Sequence, residues 1–283
     1  MRTLKLEKKH IPYALLAIAC IVVAILCIIK AFDLIKYNEF LTDSKILNPR
    51  TVTLIADGGN GRDVPKNTKY AIDDLRKKGF TNIKIDARLT ADKKWVALAE
   101  ENISSVTKGR GKVSTYSYYE LLNHNLKAVP GDKTAVIELV EDTVSYALDN
   151  EFLCTIYIHD YDKEAISSLI ETLQGLTTRP YFIASSDLRI LQHVKSIIPD
   201  LNVVYYVDEI TEENISVCRN NTEYILCFNA KNKKNTQEKI DLASSYDVFT
   251  ICYGAERLKD IEKFYKMGIR QFLNDSVQIG DIQ

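Results

Sequence analysis

The sequence predicts an α/β protein: a closed (β/α)8 barrel with an insertion in one βα loop, preceded by a single N-terminal transmembrane helix. Three observations predict this. A long uncharged run lies near the N-terminus, β-rich runs alternate with amphipathic helical runs after it, and one gap between β-rich runs is too long for a single helix. We therefore divide the chain into an N-terminal segment (1–10), an anchor (11–29), a linker (30–50) and a barrel (51–283) with its insertion at about 94–150.

The anchor is predicted from the run "IPYALLAIACIVVAILCII", Ile11 to Ile29, which contains no charged side chain. As a helix it would be roughly 28 Å long, close to the thickness of the hydrocarbon core of a bilayer. A buried core helix is one alternative, but no polar residues interrupt the run to leave an amphipathic stripe. We therefore expect this helix to span a membrane.

A cleaved signal peptide is a second alternative for the same run. The residues that follow, "KAFDLIKYNEF", lack the small-x-small pattern of a cleavage site. The residues "LAIAC", which end at Cys20, resemble a lipoprotein cleavage box, but apolar residues follow them where polar ones are usual. An uncleaved anchor fits best, and cleavage or lipidation at Cys20 stays open.

The charges that flank the run predict its orientation. Four cations precede it, and two cations mixed with two acids follow it: Arg2, Lys5, Lys8 and Lys9 on one side, Lys30, Asp33, Lys36 and Glu39 on the other. The positive-inside rule then puts the N-terminus in the cytoplasm and the barrel outside it. We expect a single-pass protein of the cell membrane.

The barrel is predicted from eight β-rich runs separated by helical ones. The runs are "TVTLIA" (51–56), "NIKIDA" (82–87), "LCTIYI" (153–158), "PYFIA" (180–184), "NVVYYV" (202–207), "YILCF" (224–228), "VFTICY" (248–253) and "IRQFL" (269–273). An open doubly wound sheet also fits this alternation, but eight units in about 230 residues favour the closed TIM barrel. The gap between the second and third runs contains "KKWVALAEE", "TKGRGKVSTYSYYELLNHN" and the helical "AVIELVEDTVSYALDN", and we place it as an insertion at the face where barrel sites are built.

Composition narrows the classes of partner. The formal net charge is -1 and no broad basic surface is predicted, which argues against nucleic acid as a partner. No Cys-x-x-Cys or Cys/His spacing indicates a metal site or a disulfide framework, and the cysteines of the barrel lie mostly in apolar runs.

Motifs in the barrel resemble those of the glycerophosphodiester phosphodiesterase family. Where that family has "AHRG" and then "PENT", this chain has "ADGG" (56–59) and "PKNT" (65–68). The family's "ExDVxLTxDxxxVxxHD" corresponds to "KIDARLTADKKWVALAE" (84–100). Further similarities are "TKGRGKV" and "YELL" in the insertion, "SSD" (185–187), and "GIRQFLND" (268–275) near the end.

The resemblance implies a phosphoric diester hydrolase of lipid metabolism that releases glycerol 3-phosphate and an alcohol. In such enzymes two histidines serve as acid and base, an arginine binds the phosphate, and carboxylates hold a divalent cation. The matching positions here are changed in most cases: Asp57 and Ala99 replace the histidines, Gly58 the arginine, Lys84 one carboxylate and Glu100 the following Asp, while Asp86 is retained. In the third strand, Tyr157 and His159 stand where the family has Glu and Lys.

These changes lead us to expect a pseudoenzyme without a cofactor, which would bind a phosphodiester, another small anion, or a membrane-protein partner. Candidate ligand-binding cations are Arg62, Lys84, Lys108 and Arg110. Lys66 could line an anion pocket with Arg62, Lys108 and Arg110, although scattered loop cations are often only solvated. Lys84 and Asp86 are two apart on one strand, so we expect Lys84 to pair with Asp86, and with Asp57 or Glu100 as well.

Two alternatives remain open from the sequence. The first is an active hydrolase with relocated chemistry, in which Asp57, Asp86 and Glu100 gather Ca²⁺ or Mg²⁺ and His159 acts as the base. The second is a purely structural module at the cell surface.

Overall fold

The computed structural model describes residues 52–59, 64–131, 133–176, 180–274 and 276–277. All of these belong to one compact unit, Pro49–Gln283. The predicted anchor (11–29), the linker (30–50) and Arg62 lie outside the described residues. Within the described residues, no helix combines the length and the apolar character that crossing a membrane requires.

The strands and helices alternate along the barrel. The strands are β1 (Thr53–Asp57), β2 (Asn82–Leu89), β3 (Trp95–Ala97), β4 (Leu153–Ile158), β5 (Phe182–Ser185), β6 (Val203–Val207), β7 (Tyr224–Asn229), β8 (Thr250–Tyr253) and β9 (Gln271–Leu273). The helices are α1 (Lys69–Lys77), α2 (Tyr118–Leu121), α3 (Val140–Asp149), α4 (Lys163–Leu176), α5 (Leu188–Ile197), α6 (Glu212–Arg219), α7 (Gln237–Ser245) and α8 (Leu258–Lys266).

Eight parallel strands close the barrel. Neighbouring strands follow the order β1-β9-β8-β7-β6-β5-β4-β2, and β1 also pairs with β2, which joins the two ends of the sheet. Each predicted β-rich run overlaps one of these strands, so the predicted closed α/β barrel is confirmed. The alternative of an open sheet is wrong.

The interior of the barrel is filled by side chains that alternate along the strands. A buried apolar layer lies inside it, formed by Ile55, Ala184, Val204, Cys227, Ile251 and Leu273. Three partly buried tyrosines pack against this layer: Tyr157, Tyr206 and Tyr253. Because strand side chains alternate with period two, the same inward face of β1 and β2 continues to Asp57, Lys84 and Asp86.

The insertion lies between β2 and α3 and has its own small core. It begins with β3, which pairs antiparallel with the end of β2. A buried cluster follows, formed by Val96, Leu98, Ile103, Val113, Leu121 and Ile137. The Trp95 indole is buried and donates a hydrogen bond to the carbonyl of Ala165 in α4 (2.9 Å), which fastens β3 to the outer helices. The helical run that we placed at the end of the insertion forms α3, which contacts β2, β4 and α4 as an outer helix of the barrel.

Candidate functional site

The turn after β1 brings one amide side chain onto β2. Gly58 has a φ of 72°, and a Cβ there would come within 2.9 Å of the Asn67 Oδ1 atom, so glycine is required. The Asn67 backbone N–H donates to the Gly58 carbonyl (2.9 Å), and Asn67 itself has a φ of 56°. Its side-chain Oδ1 accepts from the backbone N–H of Asp86 (3.0 Å), and its Nδ2 donates to the Asp86 carboxylate (3.2 Å). The turn therefore holds Asp86 in one orientation.

Three charged side chains meet at the carboxyl ends of β1 and β2. The Lys84 Nζ atom lies 2.5 Å from Asp57 Oδ1 and 2.9 Å from Asp86 Oδ1. The side chains of Lys84 and Asp86 are 11% and 2% exposed, whereas that of Asp57 is 34% exposed. The ammonium also lies 5.2 Å from the centroid of the Tyr157 ring. Lys84 is thus an almost buried cation between two carboxylates.

Electrostatics keep both members of the buried pair charged. Burial alone would lower the pKa of Lys84, but the negative charges of Asp86 and Asp57 raise that pKa well above its usual range. Burial alone would raise the pKa of Asp86, but the Lys84 charge and the His159 hydrogen bond hold it well below its usual range. The pair is therefore ionised at every ordinary pH.

His159, at the end of β4, is bound through both ring nitrogens. Its Nε2 lies 2.8 Å from Asp86 Oδ1, and its Nδ1 lies 3.4 Å from an Arg88 guanidinium nitrogen. An arginine can only donate, so Nδ1 accepts from Arg88 and Nε2 carries the proton that it donates to Asp86. Arg88 is itself fixed by donating to the Ala99 carbonyl (2.9 Å) and by Asp160 (3.4 Å). Both ring nitrogens of His159 are therefore committed to neighbouring side chains.

Most of the remaining candidate residues do not join this group. Glu100 is partly exposed and makes no hydrogen bond or ion pair with a described residue. Lys108 and Arg110 are exposed on the insertion, and neither contacts Lys84 or Asp86. Lys66 does approach the group, because its Nζ lies 3.7 Å from Asp57 Oδ2 and donates to the Asp57 carbonyl (3.1 Å).

Two residues that hold Asp86 and His159 in place were not among the candidates. Arg88 shares the inward parity of Lys84 and Asp86 on β2, and that spacing could have revealed it. Asn67 was explained as a turn residue, and its hold on Asp86 spans 19 positions of the chain, which local sequence patterns do not reveal.

A divalent cation does not fit this arrangement of side chains. Among the described residues, no three His, Cys, Asp or Glu side chains are grouped so that they could hold a metal ion. The two carboxylates that flank Lys84 are Asp57 and Asp86, and the Lys84 ammonium lies within 2.9 Å of an oxygen of each. A cation bound by both would lie against that positive charge.

Comparisons with curated proteins identify relatives of this barrel. Residues 59–278 match the Glycerophosphoryl diester phosphodiesterase family. Glycerophosphodiester phosphodiesterase 1 of Mus musculus is 26% identical over 144 residues, which are 46% of this chain and 44% of that protein. Glycerophosphodiester phosphodiesterase of Bacillus altitudinis is 27% identical over 130 residues, which are 43% of this chain and 53% of that protein. The matches thus span about half the length of these curated relatives.

Solved structures show the same fold. An Oleispira antarctica phosphodiesterase in complex with the product sn-glycerol-3-phosphate matches with a TM-score of 0.73 at 16% identity, over 79% of this chain and 92% of that chain. Glycerophosphodiester phosphodiesterase from Agrobacterium tumefaciens matches with a TM-score of 0.65 at 17% identity, over 82% of this chain and 100% of that chain. Since the family match covers nearly the whole barrel, the chain belongs to the glycerophosphoryl diester phosphodiesterase family.

Proposed function

We propose that this chain is a membrane-anchored member of the family that binds a ligand or a protein partner without hydrolysing phosphodiesters. The observation that carries the proposal is the state of His159, whose two ring nitrogens are bound to Asp86 and Arg88. His159 stands at the end of a barrel strand, and with both ring nitrogens committed its imidazole is not ready to transfer a proton.

Hydrolysis by in-line attack needs a base for the water and an acid for the leaving alcohol, each contributing typically 10²–10⁴-fold. Ala99, at the position of one family histidine, has no group that can transfer a proton. Asp57, at the position of the other, is ion-paired with Lys84. Gly58 leaves the phosphate-binding arginine of the family without a counterpart. These losses affect proton transfer and phosphate binding together.

The charges of the mouth bear on what it would bind. Lys66, Lys84 and Arg88 face Asp57, Asp86 and Asp160, so the group is close to neutral and offers little net attraction to an anion. Lys108 and Arg110 on the insertion make no ion pair with described residues. We therefore assign recognition of an anionic ligand to Lys108, Arg110 and Arg62 rather than to the charged group around Lys84.

The localisation is part of the same proposal. The uncharged run 11–29 would anchor the chain in the cell membrane, with the barrel outside the cytoplasm. A ligand or a neighbouring membrane protein would then be met at the cell surface.

Hydrolysis assays test this proposal directly. Purified full-length chain is incubated with glycerophosphocholine or glycerophosphoglycerol and Ca²⁺ or Mg²⁺, beside the Bacillus altitudinis relative as a positive control. We expect no release of glycerol 3-phosphate above the rate without protein. Turnover near that of the relative, abolished by Asp86→Ala, would instead establish an active hydrolase built on Asp57, Asp86, Glu100 and His159.

A further inference from the structure

We propose that the Lys84 ammonium is a built-in cation that replaces a divalent metal at the barrel mouth, and that exchanging this one side chain for a carboxylate creates a metal site. The inference concerns the same mouth as the proposed function and rests on it for the location of the site. Metal dependence of the fold can be measured without any turnover.

The contacts of Lys84 are those expected of a bound cation. Its Nζ atom contacts one oxygen each of Asp57 and Asp86, from two different strands, at 2.5 and 2.9 Å. Oxygen ligands surround Ca²⁺ at about 2.3–2.6 Å, so the ammonium and a metal ion between these carboxylates would occupy overlapping space. Both cannot be bound at once.

The ligand atoms of Asp86 are also already committed. Its Oδ1 accepts from Lys84 and from His159 Nε2, and its Oδ2 accepts from Asn67 Nδ2. A metal ion would have to displace at least one of these donors from a carboxylate that is almost fully buried. Ca²⁺ takes six to eight oxygen ligands. Displacing one or two donors would free only the oxygens of Asp86, which are too few to complete that coordination.

The charge balance gives the physical reason for the substitution. An ammonium between two carboxylates leaves one net negative charge, and Lys66 lies close enough to Asp57 to reduce it further. Lys84→Glu changes the local charge by two units and adds a third carboxylate beside Asp57 and Asp86, on the inward face of β2 two residues before Asp86. Lys84→Met removes the ammonium without adding a ligand, and so serves as the matched control.

The experiment measures metal-dependent stability of the full-length chain in detergent. Thermal unfolding midpoints are recorded for wild type, Lys84→Met and Lys84→Glu in EDTA, in Ca²⁺ and in Mg²⁺. A ligand that binds only the folded state raises the midpoint with its concentration. We expect a Ca²⁺-dependent rise of several degrees for Lys84→Glu alone, and no rise for wild type or Lys84→Met.

Two results would overturn the inference. One is a Ca²⁺- or Mg²⁺-dependent rise in the wild-type midpoint that Asp86→Ala removes, because a metal site would then exist beside Lys84. The other is a folded Lys84→Glu variant that gains nothing from either cation. If Lys84→Glu does not fold, calorimetric titration of wild type with Ca²⁺ decides: binding heat lost in Asp86→Ala refutes the inference, and its absence upholds it. Metal binding without turnover would refute only this inference, whereas metal-independent turnover would refute only the proposed function.

Discussion

Asp86 organises the barrel mouth at the scale of single residues. Its carboxylate is almost fully buried and accepts from Lys84, His159 and Asn67, and its backbone N–H donates to the Asn67 side chain. A buried carboxylate is tolerated only when such donors replace water. Each of the three donors comes from a different part of the chain, so Asp86 links β2 to the turn after β1 and to the end of β4.

Removing one charge from the buried pair should be costly. In Lys84→Met the Asp86 carboxylate keeps its hydrogen bonds from His159 and Asn67 but loses the buried ammonium of Lys84. We expect a loss of about 3–5 kcal/mol in the free energy of unfolding, measured by denaturant titration, since this is the usual cost of leaving one buried charge without its partner.

Asp57→Asn is the matched control for this prediction. The Asp57 carboxylate is 34% exposed, and Lys84 retains Asp86 when Asp57 is neutralised. Solvent screening limits the contribution of such a pair, and we expect a loss of at most about 1 kcal/mol. Equal losses in the two variants would contradict the assignment of Lys84 and Asp86 as the desolvated pair.

At the scale of elements, the turn between β1 and α1 contains a strained residue, Asn67, whose side chain contacts Asp86. Asn67 adopts a φ of 56°, which costs most L-residues roughly 1–2 kcal/mol, although asparagine tolerates it better than most. The side chain in this conformation makes both hydrogen bonds to Asp86. Thr68 follows as the N-cap of α1 and accepts from the backbone N–H of Ala71.

Two substitutions of Asn67 should separate the strain from the contact. Asn67→Gly keeps the left-handed backbone and loses the amide, which should cost about 1–3 kcal/mol because a buried donor and acceptor lose their partners. Asn67→Ala loses the same amide and adds backbone strain, so we expect it to be less stable than Asn67→Gly by about 1 kcal/mol. The measurement is the midpoint and slope of chemical unfolding for each variant.

Asp247 provides the control for backbone strain alone. It has a φ of 57°, is exposed, and lies after α7. Asp247→Gly should change the free energy of unfolding by less than about 1 kcal/mol. If Asn67→Gly behaved like Asp247→Gly, the amide contact to Asp86 would not stabilise the barrel.

The strands could be predicted from the sequence because each is a short apolar run, and the neighbouring residues in the sequence mark where it begins and ends. The pairing of Lys84 with Asp86 was also accessible, since both lie two apart on one strand. The N-terminal end of α3 could not be predicted, because the stretch "AVIEL" has a helical composition but precedes the helix, which begins at Val140. Leu139 is extended and pairs with Val96 through an isolated β-bridge. Long-range contacts override local propensity at that point.

Position in the cell is a prediction for the whole molecule. It rests on the uncharged run 11–29 and on the cations that precede it, all of which lie outside the described residues. The structure nevertheless provides a means to test it, because the four described cysteines are buried: Cys154, Cys218, Cys227 and Cys252. A membrane-impermeant thiol reagent should therefore report only on cysteines introduced at the surface of the barrel.

Tyr119→Cys and Phe249→Cys are the two suitable reporters, since the side chains of Tyr119 and Phe249 are 79% and 72% exposed. One lies in the insertion and the other directly before β8, so two separate surface regions are sampled. If the barrel lies outside the cytoplasm, an impermeant maleimide added to intact cells should label both variants and leave wild type at background. The wild-type chain controls for Cys20 and Cys27, and serine at the same two positions controls for altered folding. Labelling that occurs only after the cells are permeabilised would place the barrel in the cytoplasm and reverse the predicted orientation of the anchor.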